Sequence, residues 1–281
     1  MKKASIIALA LLLVLASSAL AQTADPAESI YRESGMEYEL DRLATELAIQ
    51  LEAMHEAGQM PPNMSEDDLA KIVDLVPQAF AESEMRDGII QTFRDGLTEA
   101  ETVEVLEWLR SETGRSFTRM EDAASERTTT EELVEETGGY DALDAERQEL
   151  LARLDEAGGL TRNAVNVTIG IQLGILAGAL GTIPMDAETF QNQLATSAEQ
   201  LEAARPQLRE ALHGTLFDHM AVTYRDASND ELEAYVRLYE SDAGRSYASV
   251  ARRAIADAIF ESAKRLGRMT ATAFDSRDRT M

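Results

Sequence analysis

The residues best suited to acid–base or metal chemistry at neutral pH are three histidines, His55, His213 and His219. His213 and His219 stand six apart, about 120° around a helix, so they lack the shared face that an i, i+4 pair gives a metal. Asp226, Ser228 and Asp230 open like a calcium loop. Its sixth position, however, is Glu231 rather than Gly, and its twelfth is Arg237 rather than Glu, which removes both the sharp turn and the bidentate ligand. Gly174 to Gly181 reads G-x-x-x-G-x-x-G, not the dinucleotide fingerprint, and HExxH, GxSxG, S-x-x-K and P-loop motifs do not occur. The 51 acidic residues make carboxylate pairs abundant, and abundance singles out none of them, so solvated helix faces are the default reading. No cofactor and no metal ligand is expected, and catalytic residues stay unassigned.

Arg115 and Arg245 are a different matter, because each follows a glycine at the same place in a repeated segment. Residues 98–117 read TEAETVEVLEWLRSETGRSF and residues 228–247 read SNDELEAYVRLYESDAGRSY, aligned without a gap. Thr98-x-x-Glu101 and Ser228-x-x-Glu231 are both capping boxes, in which hydroxyl and carboxylate satisfy exposed N–H groups at a helix start. Leu232, Tyr235, Val236 and Tyr239 form an i, i+3, i+4, i+7 stripe, matched by Thr102, Val105, Leu106 and Leu109. Ser111 and Ser241 read as N-caps of the next helix, with Glu112 and Asp242 in its first turn. Gly114 and Gly244 then fall early in that helix, where two helices cross closely, and Phe117 and Tyr247 return to the core. An anion contact and a helix-end lock both suit Arg115 and Arg245. Recurrence within one chain favours the lock, since a scaffold device recurs wherever the scaffold does.

Around these segments the chain is all-α: six prolines, few aromatics, many Ala, Glu, Leu and Arg, and no alternating strand pattern. Residues 1–21 read as a cleaved export signal. Lys2 and Lys3 precede an apolar run from Ile6 to Leu15, and Ala19-Leu20-Ala21 is a small-x-small cleavage site. A periplasmic or secreted location follows as the expectation. The chain has no cysteine, so disulfides, thiol catalysis and N-terminal lipidation are excluded. Its formal net charge of -25 would repel a polyanion, so nucleic acid is not an expected partner.

The expected organisation is two related helical modules, a tandem repeat of helical hairpins packed into a bundle-like array. Residues 22–139 form the first module and open with a loose lead-in. A helix follows from Tyr38 to Ala57, then another capped by Ser65. Residues 140–159 form a connecting helix, residues 160–269 the second module, and residues 270–281 a polar, frayed tail. Ile49-Gln50-Leu51 falls on Ile171-Gln172-Leu173 and Pro62 on Pro184, so the copies also match at their openings, with an insertion of about eight residues before Ser228. Residues 163–185 carry no charge and are long enough to cross a bilayer, with Gly170, Gly174 and Gly178 at the spacing of close-packed transmembrane helices. Against a membrane span stand Asn166, Thr168 and Gln172, the charged character of the equivalent first-copy helix, and acidic residues at its far end. The expectation is a buried central helix whose glycine row admits a neighbouring helix, from the other copy or from a second subunit.

The segment Glu231-Leu232 through Val236, Leu238-Tyr239, Ser241 and Gly244-Arg245 resembles the bacterial exported family called domain of unknown function 2059. The resemblance is clearest over residues 228–250. Trp108-Leu109, Ser111 and Gly114-Arg115 give a weaker match over residues 98–120. Family members often carry Pro after that Ser, where Glu112 and Asp242 stand here. The resemblance implies a helical secreted or periplasmic protein and transfers no activity. The functional expectation is a non-catalytic protein that binds a protein or envelope component. A carboxylate-dependent hydrolase with its cleft between modules is one rival reading. A protein anchored through residues 163–185 is the other.

Overall fold

A computed structural model of the protein describes residues 25–58, 65–125, 134–135 and 137–278. The segment expected to be an export signal, Pro61-Pro62 and the Thr128–Thr130 run lie outside these residues. Among the described residues there are twelve α-helices and no strand. The first six are α1 (Pro26–Glu33), α2 (Met36–Glu56), α3 (Glu66–Ala79), α4 (Glu82–Gly96), α5 (Glu99–Leu109) and α6 (Glu112–Ser125). A 3₁₀ turn at Tyr140–Ala142 leads into α7 (Ala145–Gly158), α8 (Leu160–Leu180), α9 (Ala187–Ala203), α10 (Arg205–Thr223), α11 (Asn229–Glu240) and α12 (Asp242–Asp278).

Helix starts follow their capping residues. Ser65, Thr98 and Ser228 each form a complete capping box, with Asp68, Glu101 and Glu231 returning the bond. The lead-in expected to be loose is instead α1. Asp25 caps it, Pro26 occupies its first turn, and Ile30 and Tyr31 are fully buried. Eight residues hold too few turns for a 3.6-residue period to show, which is why periodicity passed over it. The C-terminal helix, expected to fray after residue 269, runs on to Asp278.

The second six helices repeat the order of the first. The helix at residues 140–159, read from sequence as a connector, packs along α11 as α1 packs along α5. Helices α9 and α10 run 17 and 19 residues where α3 and α4 run 14 and 15, which places the inserted turns in this pair.

The halves exchange their last helices. Ala243, Tyr247, Val250, Ala251 and Ala254 of α12 enter the core formed by α1, α2, α4 and α5. Phe117 of α6 reciprocally enters the core formed by α7, α10 and α11. A fully buried aromatic contributes about 1.5–3 kcal/mol, so each half relies on the other's helix for part of its core. Further along, Ile259, Ala263 and Leu266 of α12 cover Val76, Ala79 and Phe80 near the end of α3.

Helix α8, expected to be surrounded, is not. Only 28% of its most apolar stretch is buried. One face lies along α12, the most extensive helix–helix contact in the molecule, while α9 beside it buries no residue. The missing charges along α8 therefore do not mark a helix enclosed on every side.

Candidate functional site

The repeated segments build two matching hairpins. Ser111 Oγ accepts from the Gly114 N–H at 2.9 Å, and Ser241 Oγ accepts from the Gly244 N–H at 3.0 Å. A Cβ on Gly114 would stand 2.1 Å from the Trp108 carbonyl oxygen, and one on Gly244 1.8 Å from that of Leu238. Each glycine thus lets the second helix fold back over the end of the first. Both arginines are exposed; the Arg245 guanidinium donates to the Glu240 carbonyl and to Asp242. In the glycine row of α8, a Cβ on Gly174 or Gly178 would meet the α12 backbone at Phe260 or Lys264, whereas nothing lies within 4 Å of one on Gly170. Gly267 of α12 returns the close approach, against the Ile175 carbonyl.

What the hairpins position is a cavity of about 300 Å³ between the halves. In the register that sets Thr98 on Ser228, equivalent residues of both copies line it: Val105 and Tyr235, Trp108 and Leu238, Leu109 and Tyr239, Thr118 and Ala248, and Glu121 and Ala251. The cavity therefore lies where the two copies of the hairpin meet. Its polar lining also includes Ser34, Glu39 of α2, Asn163 of α8, His219 and Thr223 of α10, Tyr224, and Tyr247 and Arg252 of α12.

Aromatic rings tie the two sides together. Trp108 stacks on Tyr235 with centroids 5.0 Å apart, and Phe117 lies 4.2 Å from Tyr235 and 5.5 Å from Tyr224. Tyr235 and Tyr224 both donate to Glu121 Oε1, at 2.7 and 2.8 Å. The second half thus supplies hydroxyls and the first supplies the carboxylate. Burial lifts the Glu121 carboxyl to about 6, even though these two hydrogen bonds favour its charged form.

Glu39 is the most perturbed acid. It is an exposed residue that lines the cavity, with protein crowded around its carboxyl. Burial, and then the charges of Glu121, Asp122 and Glu46, push its carboxyl to about 8. Burial raises the Tyr224, Tyr235, Tyr239 and Tyr247 hydroxyls as well, so all four stay protonated donors. Arg252 donates to the Gly158 carbonyl, and burial together with nearby Arg162 lowers its guanidinium. Such an arrangement can bind a polar ligand or exchange protons with one. Among the described residues no group of three His, Asp or Glu side chains converges as a metal site.

Of the histidines, only His219 reaches the cavity; His213 stacks on Phe217 at 4.2 Å. Sequence reasoning singled out neither Glu39 nor Glu121. A signal was nonetheless present in the alignment of the copies: Tyr235, Tyr239 and Tyr247 stand where the first copy has Val105, Leu109 and Phe117. Hydroxyls at three core positions of one copy alone imply acceptors supplied by something facing them.

Residues 83–136 match the model of a family described as "Uncharacterized protein conserved in bacteria (DUF2059)". The match covers α4 to α6 and falls on the copy in which the sequence resemblance is weaker; residues 228–250 lie outside it. No curated protein and no solved structure matches the chain.

Proposed function

We propose that this protein is an exported, non-catalytic binding protein whose site is the cavity between its halves. The observation that carries this reading is the cavity's lining. Repeat-equivalent faces that could have closed on each other, as side chains do in a core, instead surround open space lined by Glu39, Asn163, His219 and Thr223. The ligand in this reading is a small component of the cell envelope. Export rests on the Lys2-Lys3 start, the Ile6–Leu15 apolar run and the Ala19-Leu20-Ala21 site. Helix α8 bears on location too. Its glycine face is covered by α12, which carries Glu261, Lys264, Arg265 and Arg268 through the contact region, so a bilayer holding α8 in this fold would have to accept those charges. This supports a soluble protein over one anchored through residues 163–185.

Trp108 is the sole tryptophan and lines the cavity, so its emission reports occupancy. The low-molecular-weight fraction of a periplasmic extract is expected to change that emission in the wild type and not in Ala251→Phe, which fills the space. Equal responses, or none, would contradict the reading. Retention on membranes after an alkaline carbonate wash would contradict the soluble location.

A carboxylate-dependent hydrolase is favoured by one observation, the offset between Glu39 at about 8 and Glu121 at about 6, which suits an acid and a base at neutral pH. On that reading Glu39→Gln and Glu121→Gln each abolish hydrolysis of chromogenic ester or glycoside substrates. A wild type with no turnover above the variants would dismiss it.

A further inference from the structure

We propose that the cavity takes a small organic cation, an ammonium group held by Glu39, Asn163 Oδ1 and Thr223 Oγ1, with an apolar body against Trp108, Tyr235 and Tyr239. The inference rests on the cavity being a binding site and adds the class of ligand.

Two unused polar atoms point to a ligand independently of the acids. Thr223 is 6% exposed and lines the cavity, yet its hydroxyl has no hydrogen-bond partner among the described residues. A helical threonine ordinarily returns that hydroxyl to the carbonyl four residues back, as Thr92, Thr118 and Thr168 do. Asn163 Oδ1, also on the lining, is buried with no donor. Asn163 Oδ1 only accepts and the Thr223 hydroxyl accepts as readily as it donates, so together with Glu39 they offer an ammonium oxygens on one lining.

The charge around Glu39 points the same way. Glu46 lies on its own helix and Glu121 and Asp122 on α6, and each raises its carboxyl. From the other elements it meets the neutral hydroxyls of Tyr224, Tyr239 and Tyr247, and His219 on the far lining. The one guanidinium on the lining, Arg252, is engaged by the Gly158 carbonyl. An anion entering here would stand beside Glu121 and gain no charge pairing from Glu39, whereas a cation would draw the proton off Glu39 and pair with the carboxylate left behind; the electron-rich faces of Trp and Tyr add to the attraction. A cavity near 300 Å³ sets the size at the low end for ligand pockets, which run roughly 300–1,000 Å³. Leu216 and His219 line both this cavity and a neighbouring pocket of about 640 Å³ beside α8 and α10.

The test compares phenethylammonium with 2-phenylethanol and phenylacetate, which share its aromatic body, on the full mature chain by calorimetry and Trp108 emission. Phenethylammonium is expected to bind on the order of tenfold or more tighter than either, the worth of a charge-assisted hydrogen bond. Its binding near pH 7 should release a proton, seen as a dependence of the heat on the buffer's ionisation enthalpy. Glu39→Gln, which keeps the shape of the protonated acid and cannot ionise, should erase both the preference and the proton release, and Thr223→Val should weaken binding. If phenylethanol or phenylacetate binds as tightly, or Glu39→Gln keeps the preference, the cavity remains a site and the cation inference fails. If none of the three probes changes Trp108 emission or gives heat, both readings fail.

Discussion

The two halves of this molecule share a hairpin and differ in what they place behind it. In both, a capping box starts one helix, a serine caps the next, and a buried glycine folds the second helix back over the first. Behind the first hairpin stand Val105, Leu109 and Glu121; behind the second stand Tyr235, Tyr239 and Ala251. The shared features are those that any such hairpin needs in order to fold. The differences line one cavity, where two tyrosine hydroxyls of the second half meet the Glu121 carboxylate of the first. A repeat that has diverged in this way lines a cavity that neither half could line alone.

Breaking the shared device should cost most. Gly114→Ala and Gly244→Ala each drive a Cβ into a backbone carbonyl, and each is expected to lower stability in chemical unfolding by about 3 kcal/mol or more. Gly170→Ala, made where space is open, should instead be neutral or add up to ~1 kcal/mol through helix propensity.

The second prediction concerns the differing residues. Glu39 and Glu121 have folded-state values of about 8 and about 6, raised above the ordinary 4.5, so the folded chain holds their protons longer than the unfolded chain does. Their contribution to stability is therefore present at low pH and is lost as pH rises from about 4.5 through 6 towards 8. Melting temperature should fall over that window in the wild type, and Glu39→Gln should flatten the part above pH 6. An equal fall in both proteins would remove Glu39 from the account.

Smaller effects test how alike the hairpins are. Ser111→Ala and Ser241→Ala should each cost about 1 kcal/mol, and by similar amounts if the two caps are equivalent. Smallest are the exposed ion pairs that tie each outer helix to its hairpin. Arg110 bonds Glu33 of α1, and Arg153 of α7 bonds Glu233 and Glu240 of α11. Either Arg→Ala change should cost no more than ~1 kcal/mol, because solvent screens pairs this exposed.

Much of this was legible in the sequence. The all-α class follows from composition and period, and the capping boxes sit where Thr98-x-x-Glu101 and Ser228-x-x-Glu231 put them. Helix α1 was hidden because its stripe, Ala27, Ile30 and Tyr31, spans little more than one turn and never repeats. Helix α8 misled because a lack of charge reports what a helix avoids, not how many neighbours surround it. The cavity was unreadable for a different reason. Glu39 and Glu121 are two of 51 acids, and what sets them apart is the protein crowded around their carboxyls and the acids brought near them from other helices, which no local pattern encodes. The tyrosines were half-legible, since their asymmetry between copies appears once the repeat is aligned.

The central claim is that the halves enclose a cavity holding perturbed carboxyls beside Trp108, and a pH titration of tryptophan emission tests it most directly. The account predicts that emission titrates between about pH 6 and 8 in the folded wild type, and that the upper part of the change disappears in Glu39→Gln. Emission that is flat across that range, or that titrates only near the ordinary carboxyl value of 4.5, would contradict it.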